Sequence, residues 1–263
     1  MNRVIGKTGD RGIDEGVAEP ISGLSDSPIP RSSDFSISRF VRSVFEITRK
    51  DLLVEARTRE ILYTTVFFAV SCVLVFAFGF VKEGRPVQDA AAGILWIAIA
   101  FSGTLALGRA FERERHGETL RALLIAPIDR PALYLGKLLG ILILLAAVEA
   151  LVVPLVALMF QAALFSHAAL MIGLLAAGTV GFAAVGTLFA AMLVRARSRD
   201  VMLPVLLYPI TVPVIIAGVR GTAALLAPEA DLPMARAWLS MLVFFDVVFV
   251  TLALWTFEPV MTE

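Results

Sequence analysis

One cysteine, two histidines and three tryptophans in 263 residues leave little material for several kinds of chemistry. Cys72 stands alone, so neither an intrachain disulfide nor a thiolate metal cluster can form, and a lone Cys inside an apolar run reads as a small packing residue. No H-E-x-x-H, G-x-S-x-G or G-x-x-x-x-G-K-[ST] pattern occurs. The missing phosphate loop means that this chain does not hydrolyse ATP by that route, and no enzyme activity is expected of it. Charge is scarce as well: 17% of residues are charged, against about 25% in a typical soluble domain. Lys+Arg and Asp+Glu are equal at 23 each, which gives no reason to expect nucleic acid as a partner. The first thirty residues lack the apolar stretch of a secretory signal and are rich in Gly, Ser, Pro and Asp, the composition of a disordered tail.

What the chain does have is apolar residues, 58% of the total, gathered in runs near the ~20 residues that cross a bilayer. The fold class expected is all-α: a polytopic integral membrane protein with six transmembrane helices, an N-terminal amphipathic interfacial helix and a short cytoplasmic helix between the second and third spans. The spans fall at about 61–81, 90–108, 134–160, 168–194, 201–219 and 236–257, the fifth short and broken by prolines. Residues 1–38 form the disordered cytoplasmic tail and 39–263 the membrane domain.

Lys and Arg in short loops set orientation. They crowd before the first span (Arg39, Arg42, Arg49, Lys50, Arg57, Arg59), between the second and third (Arg109, Arg113, Arg115, Arg121, Arg130, Lys137), and between the fourth and fifth (Arg195, Arg197, Arg199). The other side has only Lys82, Arg85, Arg220 and Arg236. Both termini therefore belong in the cytoplasm.

Residues 39–59 read as a basic amphipathic helix in the interface, with Arg49, Lys50 and Arg57 on its polar arc. Asp51 and Glu55 break the pattern by landing on the apolar side. Two explanations stand open: the helix meets anionic lipid through its arginines, or Asp51 and Glu55 pair with basic groups of another cytoplasmic element. Between spans two and three, Gly117 interrupts a charged stretch, and Glu118 and Thr119 then open a short helix with acid at the positive end of its dipole. Leu120, Leu123 and Leu124 share one face, Pro127 stops the helix, and Asp129 is placed to cap the third span. Such a helix either rests on headgroups or is gripped by a partner protein.

Within the spans, Pro204, Pro209 and Pro213 each remove a backbone donor, giving either a static kink or a hinge. Glu149 and Asp246 would each cost roughly 2.5–3.5 kcal/mol if charged and facing lipid, so both are expected to point inward. Gly136 and Gly140, and Gly173, Ala177 and Gly181, recur at four-residue spacing that lets helices approach closely, either within the monomer or at a dimer interface. His116 and His167, with Met159 or Met171, are weak candidates for axial ligands to an iron centre, since a His among charges is usually a solvated polar residue.

Three stretches together resemble one family. They are Glu112-Arg113-Glu114 with Gly117, Thr119-Leu120, Leu123-Leu124, Ala126-Pro127 and Asp129-Arg130; Lys50-Asp51-Leu52 with Glu55 and Arg57-Thr58-Arg59-Glu60; and the prolines of Leu203-Pro204, Tyr208-Pro209 and Val212-Pro213. The pattern is similar to the permease subunit of ABC-2-type exporters and, more narrowly, to the haem exporter protein B family of cytochrome c biogenesis. The resemblance runs from about residue 40 to the C-terminus and does not cover the tail. It implies six spans in a bacterial-type inner membrane and a separate cytoplasmic ABC ATPase that binds ATP. It also implies partnership with other cytochrome c maturation subunits and a haem chaperone. Haem is then a substrate of the complex, with no cofactor expected on this chain. In that picture the loop around 111–127 would be a cytoplasmic coupling helix seated in the ATPase, with Glu112, Glu114, Arg115 and Glu118 as polar contacts and Leu120, Leu123 and Leu124 as apolar anchors. A generic ABC-2 exporter of lipid or drug is the alternative. A secondary transporter would need midplane carboxylates, which Glu149 and Asp246 supply, but also repeated halves, which the sequence does not display.

Overall fold

The computed structural model describes residues 37–82, 85–87, 90–116, 130–193 and 198–260. The described residues are almost wholly helical: α1 (Ile37–Thr58), α2 (Glu60–Gly79), α3 (Ala91–His116), α4 (Arg130–Phe160), α5 (Ala168–Met192), α6 (Arg199–Leu226) and α7 (Leu232–Val260). A two-residue pairing, β1 (Val81–Lys82) with β2 (Arg85–Pro86), closes the turn after α2. Six helices, α2 to α7, are long and apolar enough to cross a membrane. A multi-pass α-helical membrane protein follows from length and composition, because only helices whose backbone bonds are internal can stand in hydrocarbon as separate spans.

The fifth span differs most from expectation. α6 runs unbroken for 28 residues through Pro204, Pro209 and Pro213 and continues past Arg220 to Leu226. Arg220 is exposed, so its long side chain can reach outward while the helix carries on beneath it. The helix ends where Pro228 follows, a residue that cannot extend it.

Small residues decide how the helices meet. α5 packs on α7 and α6, and α6 on α7; α2 and α3 pair, and α3 also contacts α4 and α6. The Trp96 ring of α3 lies between Gly178 of α5 and Gly218 of α6, where an added Cβ would fall 2.1 and 2.4 Å from ring atoms. Its indole N–H donates to Thr222 Oγ1 at 3.0 Å, which satisfies the one polar atom of a buried ring. Around this clamp lies one apolar cluster, including Val152, Phe160 and Leu174. A second cluster, nearer the start of α4, gathers Leu107, Phe111, Tyr134, Phe182 and Phe257. There Tyr134 O–H donates to the Ala184 carbonyl at 3.0 Å and its ring meets Phe257 at 5.3 Å.

Candidate functional site

Four features of the sequence point toward function: the interfacial helix, the loop after the second span, the prolines of the fifth, and the two intramembrane carboxyls. The structure joins the first of these to the membrane core.

α1 does not lie apart from the bundle. It packs along the first turns of α4, with Ile47 and Thr48 buried. The approach is close because Gly136 has no side chain; a Cβ there would stand 2.8 Å from Ile47 Cβ and 3.2 Å from the Val44 carbonyl oxygen. Thr48 Oγ1 donates to the Gly136 carbonyl at 3.0 Å. One turn on, Lys137 Nζ lies 2.6 Å from Asp51 Oδ2, with Lys50 Nζ 3.2 Å from the other oxygen. Val44, Ile47, Thr48, Asp51 and Glu55 thus share the face turned toward the protein, while Val41 and Phe45 remain 59% and 65% exposed. The apolar arc read from the helical wheel divides into a protein-facing strip and an outer strip. Asp51, anomalous on the wheel, has its partner on α4.

Glu55 serves a different purpose. Its Oε1 accepts the backbone N–H of Leu62 at 2.8 Å, satisfying one of the free donors at the start of α2. Between the helices Arg59 adopts a left-handed conformation, φ 53°, and its N–H still bonds back to the Glu55 carbonyl at 2.6 Å. Glu55 therefore holds both sides of a one-residue joint. Arg49 and Arg57 are exposed on the outer surface of α1. Glu60 at the start of α2 stands 3.8 Å from Arg109 of α3, a loose and exposed contact between the ends of two spans.

α3 continues as a helix past the membrane run at Phe111 to His116. The backbone of Glu112, Glu114 and Arg115 belongs to that extension. Gly117, Glu118, Thr119, Leu120, Leu123, Leu124, Pro127 and Asp129 lie outside the described residues, as do residues 1–36.

The two carboxyls have unlike settings. Glu149 of α4 is buried and accepts a hydrogen bond from Thr179 of α5. Both line an apolar groove of about 500 Å³ between α4 and α5, with Pro154 and Phe165 farther along it. Asp246 of α7 is half-buried, and its Oδ1 is enclosed without a hydrogen-bond partner. That oxygen sits where a Cβ on Gly181 would come within 2.6 Å. Thr179 and Gly181 are two residues apart, so the carboxyls flank α5 at depths that differ by about 3 Å. Thr179 as the partner of Glu149 carries no signal in the sequence beyond being a Thr in the neighbouring span.

The prolines of α6 free the carbonyls of Asp200, Val205 and Pro209, which have no amide four residues on. Thr211 reinforces the stretch by donating to the Leu207 carbonyl at 3.0 Å. Pro204 and Tyr208 line a second groove of about 580 Å³, reaching Arg109 and Asp200 at one end and Phe101 at the other. Tyr208 is fixed there by an edge-on contact with Phe101, 5.9 Å between centroids, and by a 3.2 Å hydrogen bond with Thr104. Of the weak ligand candidates, Met171 is buried in the apolar cluster around Trp96, and His167 immediately precedes α5 with its ring partly exposed. The side chain of His116 lies outside the described set.

Comparison with known proteins fits this architecture. The family model described as CcmB protein matches residues 42–261, from α1 to just beyond α7. Among curated relatives, heme exporter protein B of Rhodobacter capsulatus is 32% identical over 171 residues, covering 64% of this chain and 78% of that one. Heme exporter protein B of Pseudomonas aeruginosa is 26% identical over 198 residues, covering 74% and 86%. The protein of the same name from Paracoccus denitrificans is 30% identical over 155 residues, covering 59% and 70%. With the model match spanning every helix described above, the chain belongs to the CcmB protein family.

Proposed function

We propose that this chain is the membrane permease subunit of an ABC complex for cytochrome c maturation. In this reading it converts ATP hydrolysis by a separate cytoplasmic subunit into haem delivery, through release of a haem-loaded chaperone on the far side of the inner membrane. The observation that carries the reading is the family match from 42 to 261 onto relatives named heme exporter protein B, laid over six membrane-spanning helices. Both termini lie in the cytoplasm under the distribution of Lys and Arg, residues 1–38 act as a separate tail, and 39–263 form the transporting domain. Other cytochrome c maturation subunits complete the assembly.

The seam between α1 and α4 supports a transmission role. The proposed coupling segment, with Glu112, Glu114, Arg115 and Glu118 as polar contacts and Leu120, Leu123 and Leu124 as anchors, leads directly into α4. The Asp51–Lys137 pair and the Gly136 contact link the start of α4 to α1. A push delivered by the ATPase would then move α1 and α4 together, and α6, with three carbonyls freed by proline, would take up the bending. A mechanical transmitter of this kind needs no haem ligand of its own, and haem remains a substrate of the assembly.

Haem staining of membrane c-type cytochromes in a strain lacking the gene tests the proposal. Covalent haem should vanish and return on complementation. Unchanged cytochromes would sink the haem reading and leave a generic ABC-2 exporter. Coupling is tested separately by pull-down: charge reversal at Glu114 and Glu118 should release the ATPase subunit, and retained association would exclude this segment as the contact.

A further inference from the structure

The groove between α2, α3 and α6 has a charged mouth and an apolar interior, and the transmission scheme touches it only through Pro204 on its α6 wall. Arg109 and Asp200 stand at the mouth, where α3 leaves the membrane run and α6 enters it. Phe101 lies about 12 Å deeper along α3 than Arg109, at a rise of 1.5 Å per residue. Phe68 of α2 lines the same slot. The polar atoms of its wall are already engaged with one another, through the Thr104–Tyr208 hydrogen bond. The interior therefore offers an apolar channel running inward from a polar rim.

The rim is specific in its charges. Arg109 has five N–H donors in its guanidinium fork, and Glu60, at 3.8 Å and exposed, engages it only loosely. An anionic oxygen group can take the remaining donors. On the other wall Asp200 presents a carboxylate, and its main-chain carbonyl has no amide to receive because residue 204 is proline. Both are acceptors on one residue, suited to a group with several N–H donors. Among the described residues that line the groove, one cation and one acid, Arg109 and Asp200, stand together, which suits a ligand that carries both signs of charge.

We propose that this groove holds one phospholipid with a primary ammonium headgroup, its phosphate on Arg109, its ammonium on Asp200 and one acyl chain in the slot toward Phe101 and Tyr208. The chemistry is that of phosphatidylethanolamine. Phosphatidylglycerol lacks the cation, and phosphatidylcholine carries a quaternary nitrogen with no N–H to donate. A lipid seated there wedges α2 and α3 against the proline-bearing first half of α6.

Native mass spectrometry of the full chain in detergent, after delipidation and titration with each of the three lipids, tests this. Phosphatidylethanolamine should be retained about tenfold over either competitor, the order expected for charge-assisted hydrogen bonds. Asp200→Asn should level the three lipids. Gly108→Leu should remove the retained lipid while leaving the melting temperature intact, because a Cβ at Gly108 meets nothing within 4 Å and the added side chain fills the slot. Equal retention of the three lipids by the wild type would overturn the proposal. So would a preference that survives Asp200→Asn, or a lipid that stays in the Gly108→Leu protein. Haem that blocks phosphatidylethanolamine retention and is itself lost in Gly108→Leu would reassign the groove to a planar anion.

Discussion

α5 and α7 are almost equally hydrophobic, yet 61% of the most apolar window of α5 is buried inside the protein and only 11% of that of α7. Hydropathy measures transfer out of water, and lipid and protein interior satisfy it alike. What separates the two helices is side-chain size. α5 brings Gly178, Gly181 and Gly186 against Trp96, Asp246 and Leu107, so three neighbours approach its backbone. α7 spends Phe244, Val247 and Trp255 on its outer surface, where they are 71%, 62% and 78% exposed. Between membrane helices, close packing and hydrogen bonds hold the structure, and small residues make the closeness available.

The most severe way to test that contrast is Gly178→Leu. The side chain would have to occupy space held by the rigid Trp96 ring, and overpacking of this kind costs about 3 kcal/mol or more. The variant should be recovered in low yield and melt far below wild type in detergent; a normal melt would mean that α5 is not the fixed centre of the bundle. Next comes Lys137→Ala, which removes the cation 2.6 Å from Asp51 on the α1 seam. Breaking a fully buried pair costs 3–5 kcal/mol; with Asp51 26% exposed and Lys50 at 3.2 Å, about 2 kcal/mol is expected. Combining Lys137→Asp with Asp51→Lys should recover part of the loss, and no recovery would show that the seam rests on the Gly136 approach and the Thr48 hydrogen bond.

Smaller effects sharpen the contrast between the carboxyls. Glu149→Ala leaves Thr179 without its partner and should cost about 1 kcal/mol, the net worth of one hydrogen bond. Asp246→Asn keeps the shape and removes the ionisable group while an amide oxygen can stay in the enclosed position, so its stability should remain within about 0.5 kcal/mol of wild type or rise. A large loss there would mean that Asp246 has a bonding partner in the folded protein. Trp255→Ala, on the outer face of α7, should be the mildest, again within about 0.5 kcal/mol.

The spans were legible because a run of about 20 apolar residues has few other fates. Their partners were not. Asp51 was visible as an exception on the helical wheel, but nothing local indicates that Lys137, 86 residues later, would face it. Gly136 gave a clearer signal, since a small residue at helical spacing announces a close approach, though not which helix makes it. The fifth span shows the limit of local rules. Three prolines and Arg220 argue for a short, interrupted helix, and in water they would produce one. Within a bundle the intact hydrogen bonds around each proline have no competing solvent, so α6 persists to Leu226. The grooves were invisible in sequence because each is assembled from two or three helices.

The clamp on Trp96 also gives the protein a built-in optical probe. Its three indoles occupy three different surroundings: Trp96 sealed in the core with its N–H bound, Trp238 partly covered, and Trp255 on the outside. With Trp238 and Trp255 changed to Phe, the remaining tryptophan fluorescence would come from a place where α3, α5 and α6 meet. Any rearrangement of those helices during a transport cycle would admit solvent or alter that hydrogen bond. The emission colour would then follow the motion in an intact membrane, without a label.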